Sequence, residues 1–323
     1  MDPRDVDLTA PFGPVLLPNP LVTAAGCGGT GRELARFVPL DALGAVTTRT
    51  VMPEPRAGHP APRAAAVPAG VLTALGLPGP GIDAFVEHEL PWLAERGARV
   101  VVSVAGQRIE EFAALAARLG GLPGVVGLEL NIGGPSHADL GLVFAANPAI
   151  SYDLVRAVRR AAPADLPVYA KLAPDVLSIT DIAAACVQAG ADGLSMINTL
   201  PGLEIDPVTL RPALAAGPGG LSGPAVRPVA LRCVHQVRAA MLAGRVPEVP
   251  VLGMGGIRTG RDALAFAAAG ASGFAVGSAL LRDPTAPLRI LDELRTELAV
   301  RGLAAFTDAV GLAHRTDPPR GPR

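Results

Sequence analysis

The stretch "VPVLGMGGIRTGRDALAFAAAGASGFAVGSAL", residues 249–280, decides the fold. Two short apolar runs, VPVLGMGG at 249–256 and GFAVGSA at 273–279, flank a segment with helical spacing over 259–269. Near-continuous apolarity in so short a run predicts a strand buried on both faces. The same alternation runs through the chain. Strand-like runs stand at 21–26 (LVTAAG), 45–50 (AVTTRT), 101–106 (VVSVAG), 125–131 (VVGLELN), 168–174 (VYAKLAP) and 193–199 (GLSMINT). Helical spacing fills most of the gaps, at 81–97, 108–119, 150–161, 179–190 and 225–242. Eight buried strands separated by helices predict an α/β fold, the (β/α)8 TIM barrel. An open doubly wound sheet is the alternative. The barrel is preferred because glycines and polar residues fall at the C-terminal end of nearly every run, the rim where barrels carry their sites. Residues 50–80 and 200–224 interrupt the alternation, and both are predicted to be insertions over the C-terminal mouth. The expected organisation is one domain over 1–312 and a flexible tail over 313–323.

Composition removes several function classes. The 28 basic and 29 acidic side chains leave a net charge of −1, with no electrostatic case for nucleic acid or an anionic membrane. Aromatic residues make up only 3%, too few for base-stacking platforms. Cys27, Cys186 and Cys233 are far apart and form no CxxC pair, so neither a disulfide framework nor a zinc or iron–sulfur site is indicated. A reducing, cytoplasmic compartment fits. The first residues carry no apolar signal core, and no apolar run reaches the roughly 20 residues of a membrane span.

The strand ends gather polar groups: Arg49 after the second run, Asn131 at the end of the fourth, Lys171 within the fifth, Asn198 and Thr199 at the end of the sixth. A lone strand-end amide is as readily a satisfied cap. Lys171 is different, because an ammonium flanked by apolar residues needs an anion or an acceptor. Glycines in GMGGI (253–257) and AVGSAL (275–280) let backbone N–H groups approach an anion, and helix N-termini follow them. Barrels place phosphate sites after strands seven and eight. GGLSGPA (219–225) is a third glycine-rich approach. Together these point to a phosphorylated planar cofactor. Cys27 reads equally as a buried inert thiol, and His137 as a surface-loop histidine. His59, His88, His235 and His314 show no metal spacing.

In LPNPLVTAAGCGG, RTVMPEPRAGHPAPR, LGLPGPG, LELNI, YAKLAP, AGADGLSMINTL, GGLSGPAVRPVAL and GMGGI…AGASGFAVGSAL the chain resembles class 1 dihydroorotate dehydrogenases, nearest the 1B type, from about residue 7 to about 300. The resemblance implies an FMN-dependent barrel. It implies that Ala24, Ala25 and Gly26 line the flavin. Lys171 would reach its N1/O2 edge, and Asn131, Asn198 and Thr199 would face flavin and substrate. Gly223, Gly255, Gly256, Gly277 and Ser278 would hold ring and phosphate. Arg49 stands where the family has lysine near flavin and substrate, a planar fork replacing a point charge.

The departures concern the substrate. The 1B pattern E-L-N-I-S-C-P-N reads ELNIGGPS at 129–136. Gly134 replaces the cysteine that acts as base, Gly133 a serine, and Ser136 an asparagine. Thr73 replaces a further substrate-binding asparagine. Groups aimed at FMN are kept while groups aimed at orotate are lost. The leading expectation is therefore an FMN-dependent oxidoreductase that reduces or forms a C–C double bond in a substrate other than orotate, such as a specialised metabolite. Ser136, His137, Thr73, Cys27 and Lys171 are its candidate catalytic residues. One alternative is a true dihydroorotate dehydrogenase whose base has moved to His137 or Cys27. The other is a flavin-binding protein without catalysis. By the same resemblance, a homodimer and an electron-transfer partner protein are expected.

Overall fold

Eight parallel strands follow one another round a ring: β1 (Leu21–Thr23), β2 (Val46–Thr47), β3 (Val100–Val104), β4 (Val125–Leu130), β5 (Val168–Leu172), β6 (Gly193–Met196), β7 (Val251–Met254) and β8 (Gly273–Val276). This is a computed structural model, and it describes residues 1–133 and 144–315. Hydrogen bonding runs β1-β8-β7-β6-β5-β4-β3-β2. A parallel bridge from Val22 to Ala45, beside β2, closes the ring. The chain is the (β/α)8 barrel its alternation implies. Every residue of β3, β5, β6, β7 and β8 is buried, which is why these strands are apolar without alternation. Each regular strand stops short of its apolar run. The remainder, such as 255–256 after β7, turns outward as mouth loop.

Helices Ile109–Leu119, Pro148–Ala161, Ile179–Gln188, Arg227–Leu242, Gly260–Ala269 and Ala286–Val300 cover the barrel. Their starts follow from local chemistry. Asn147 Oδ1 accepts from the Ala149 and Ile150 N–H groups ahead of Pro148, and Ser178 caps the helix beginning at Ile179. Between β2 and β3 the segment 82–94 is helical but widens into a π turn at Phe85–Glu89. No helix among the described residues is long and apolar enough to cross a membrane.

The N-terminal end of the barrel is plugged by a hairpin, Ala10–Phe12 against Val15–Leu17, which the sequence reading did not anticipate. Phe12 stacks on Tyr169 inside the barrel, with centroids 4.1 Å apart and planes 6° from parallel. Gly193 makes room for this stack: a Cβ there would lie 2.3 Å from Tyr169 Cζ. Val22, Ala45, Val101, Leu252, Met254 and Ala275 complete the inner apolar layer. Polar side chains therefore enter the barrel only above it.

At the opposite end the two interrupting segments meet. Gly70–Thr73 pairs antiparallel with Ala64–Val67 on one side and Gly219–Ser222 on the other, and Leu200–Gly202 adds the outer strand. The mouth insertions are thus one four-stranded sheet instead of two loops. At the C-terminal end, Leu312–His314 form a 3-10 turn. There the His314 ring stacks on His235 at 4.1 Å. Residues 316–323 of the expected tail lie outside the described residues.

Candidate active site

The polar layer starts with a buried ion pair. Lys171 on β5 is 6% exposed and Glu129 on β4 is 1% exposed, and Lys171 Nζ donates to Glu129 Oε1 at 3.2 Å. The register of β4 with β5 sets Glu129 beside Tyr169, two residues before Lys171, so both chains of the pair point inward. The anion that Lys171 requires is therefore the protein's own. The sequence reading missed Glu129. Its signal was available, since an acid inside an apolar strand is as costly as a lysine there.

Above the pair, amides from two strands are locked together. Asn198 Nδ2 donates to Asn131 Oδ1 at 3.1 Å, and Asn131 Nδ2 donates to Thr50 Oγ1 at 3.2 Å. Thr50 Oγ1 and Ser103 Oγ share a 3.0 Å hydrogen bond, and the Thr199 N–H donates to Asn198 Oδ1 at 2.9 Å. This network fixes both amide planes before any ligand arrives. Three buried polar atoms in the same region, Thr47 Oγ1, Ser195 Oγ and Arg49 Nε, have no partner among the described residues. Ser195 lies directly beside Lys171 in the β5–β6 register.

Two chambers open from this layer. The first encloses about 640 Å³ and is lined by Ala24, Ala25, Cys27, Lys171, Asn198, Thr199, Gly223, Gly255, Gly256, Gly277 and Ser278. The second encloses about 700 Å³ and is lined by Ala25, Gly26, Arg49, Thr50, Thr73, Leu75, Gly76, Leu77, Pro78, Asn131, Lys171 and Asn198. Ala25, Lys171 and Asn198 belong to both. Residues that the resemblance gives to the flavin thus fall mainly in the first chamber. Gly26, Arg49 and Asn131 fall in the second, with Thr73. Ser222, Met254 and Arg258 also line the first chamber and were not anticipated. Gly134, Ser136 and His137 lie outside the described residues. None of His59, His88, His235 and His314 lines either chamber.

The first chamber suits a phosphorylated planar group. The N–H groups of Gly255, Gly256, Gly277 and Ser278 donate to no backbone carbonyl among the described residues. Gly255 and Gly256 sit at φ +126° and +77°, and a Cβ at Gly256 would lie 2.8 Å from the Gly223 carbonyl oxygen. The loops after β7 and β6 therefore meet backbone to backbone, which only glycine permits. One expectation is corrected. The N-terminus of helix Gly260–Ala269 is not spare for an anion, because Asp262 Oδ2 accepts from the Arg258 and Thr259 N–H groups and Glu293 accepts from Gly260 at 2.7 Å. The glycine loops themselves keep N–H groups free of backbone acceptors for an anion there. Gly256→Val should yield protein with at least tenfold weaker FMN affinity, read as the flavin-to-protein ratio after dialysis, because about 1–2 kcal/mol of left-handed strain adds to the lost close approach.

Cys27 and Arg49 take more definite places. Burial pushes the Cys27 thiol up, the charge of Lys171 pulls the other way, and the net direction is upward. Cys27 lies in the first chamber's wall, and the upward direction makes its thiol poorly suited to be a base. Arg49 Nη2 lies 3.4 Å from Glu89 Oε1, with side chains 34% and 20% exposed. Glu89 comes from the π turn, whose extra residue rotates it off the helix's ordinary face. It too was missed, since helical periodicity alone places it among surface acids.

The sequence model of the family described as "Dihydroorotate dehydrogenase" matches residues 8–298. The chain belongs to the dihydroorotate dehydrogenase family. It is 47% identical over 300 residues to the catalytic subunit of dihydroorotate dehydrogenase B (NAD(+)) of Desulforudis audaxviator, covering 93% of this chain and 95% of the relative. It is 43% identical over 300 residues to the corresponding subunit of Geobacillus kaustophilus, covering 93% of each. This dihydroorotate dehydrogenase family member is an FMN-dependent oxidoreductase acting on a CH–CH bond. That removes the non-catalytic alternative.

Proposed function

We propose that this chain reduces or forms a C–C double bond in a substrate other than orotate, and that it is a divergent member of its family without the cysteine base. The observation that carries the reading is the makeup of the second chamber. Its Lys171, Asn131 and Asn198 are in place, while Thr73 stands where the resemblance puts a pyrimidine-reading asparagine. Gly134 offers no side chain to take a proton. A site that loses hydrogen-bonding partners for its substrate loses orders of magnitude in specificity. Loss of a general base removes a further ~10²–10⁴-fold.

FMN, when bound, supplies a hydride carrier that gains negative charge on reduction. The chain's part is electrostatic and positional. Lys171 presents a cation where that charge develops, and the locked Asn131–Asn198 amides orient a carbonyl of the substrate. Arg49 adds a second cation at the outer wall. An activated alkene can take its second proton from solvent, so such a reaction tolerates the glycine at 134.

A second reading has one observation in its favour. The relatives at 47% and 43% identity are named for dihydroorotate. Under that reading the base has moved to His137, or to Cys27, against which its raised pKa counts. We infer a homodimer as the minimal assembly from the family resemblance, and an electron-transfer partner because those relatives are named as catalytic subunits. Three free cysteines support a reducing, cytoplasmic setting. The purified protein should be yellow, and a colourless protein that takes up no added FMN would refute both readings. Anaerobic mixing with dihydroorotate separates them: the flavin stays oxidised under the first and bleaches under the second.

A further inference from the structure

We propose that Glu129 is a positioning residue that holds Lys171 and sets how strongly the chain favours reduced over oxidised flavin. The proposal rests on the reading that Lys171 meets the flavin edge. Glu129 lines neither chamber, yet its carboxylate lies 3.2 Å from an ammonium that lines both. It can reach a ligand only through Lys171. A buried ion pair adds little stability over an apolar filling of the same volume. The layer directly below shows that this barrel accepts apolar filling, with Leu252, Met254 and Val101 in its interior. The pair is therefore a charge held at a defined depth.

The sign follows from electrostatics. With Glu129 ionised, Lys171 acts on the flavin as one end of a near-neutral pair. Without the carboxylate, the ammonium acts as a whole positive charge in a low-dielectric site and favours whichever flavin state is more negative. The reduced state is the more negative. Glu129 thus keeps the flavin easier to reoxidise, which matters for an enzyme that must discharge its electrons after every turnover.

The test is the midpoint potential of the bound FMN, measured with redox dyes on the holoprotein. E129Q should shift the equilibrium about tenfold toward the reduced flavin, about 30 mV upward for a two-electron couple. K171M should shift it downward, and E129Q added to K171M should recover part of that shift, because it removes the negative charge left beside the flavin. E129D keeps the charge but withdraws it by one methylene, so its shift has the sign of E129Q and is smaller. It carries the test if E129Q does not fold. An unchanged or lowered potential in E129Q or E129D, with K171M still lowered, overturns the role of Glu129. An unchanged potential in K171M overturns the placement of Lys171 itself.

Discussion

Lys171→Met should destabilise the protein by about 3–5 kcal/mol and lower turnover on any accepted substrate about 10²–10³-fold. The two losses have different origins. Stability falls because Glu129, 1% exposed, is left as an uncompensated charge in a strand interior. Turnover falls because the cation facing both chambers is gone while the amide network of Asn131 and Asn198 survives. Combining E129Q with K171M separates them. The double variant should recover most of the stability, since no charge stays buried alone, and none of the turnover. Denaturant unfolding reads the first, and flavin reduction under single-turnover conditions reads the second. Recovery of turnover in the double variant would show that Lys171 acts only by packing.

The second large effect is an absence of rescue. Gly134→Cys should restore no measurable dihydroorotate oxidation, although it returns a thiol to the position where the resemblance places the base. Proton abstraction needs the substrate held within hydrogen-bonding reach of the base. Here neither Thr73 nor Ser136 can offer the amide pair of an asparagine. A triple variant, G134C with T73N and S136N, should recover activity that the single variant lacks. Substantial turnover by G134C alone would mean that the base was the only defect, and that the chamber still reads dihydroorotate.

The barrel was legible because its strands are buried on both faces, so apolarity alone marks them, even β2 with only two residues in regular pairing. The mouth sheet was not. Gly219–Ser222 and Gly70–Thr73 are distant in sequence, rich in glycine, and lack the alternation that marks a half-buried strand. The plugging hairpin was hidden by strands of three residues among prolines. Within the site, Lys171 stood out because its neighbours are apolar. Glu129 carried the same signal, but it gains meaning only when paired with a lysine 42 positions away, across a strand register no local pattern gives. Glu89 was hidden by the π turn, which shifts the face that helical spacing would assign.

The most direct measurement mixes the yellow holoprotein with excess dihydroorotate under strict anaerobiosis and follows the flavin spectrum. The proposed function predicts that the flavin stays oxidised, while the same sample bleaches with dithionite and reoxidises on addition of an activated alkene that fits the second chamber. Bleaching by dihydroorotate at a rate useful for turnover would contradict it and return the chain to pyrimidine oxidation with a relocated base.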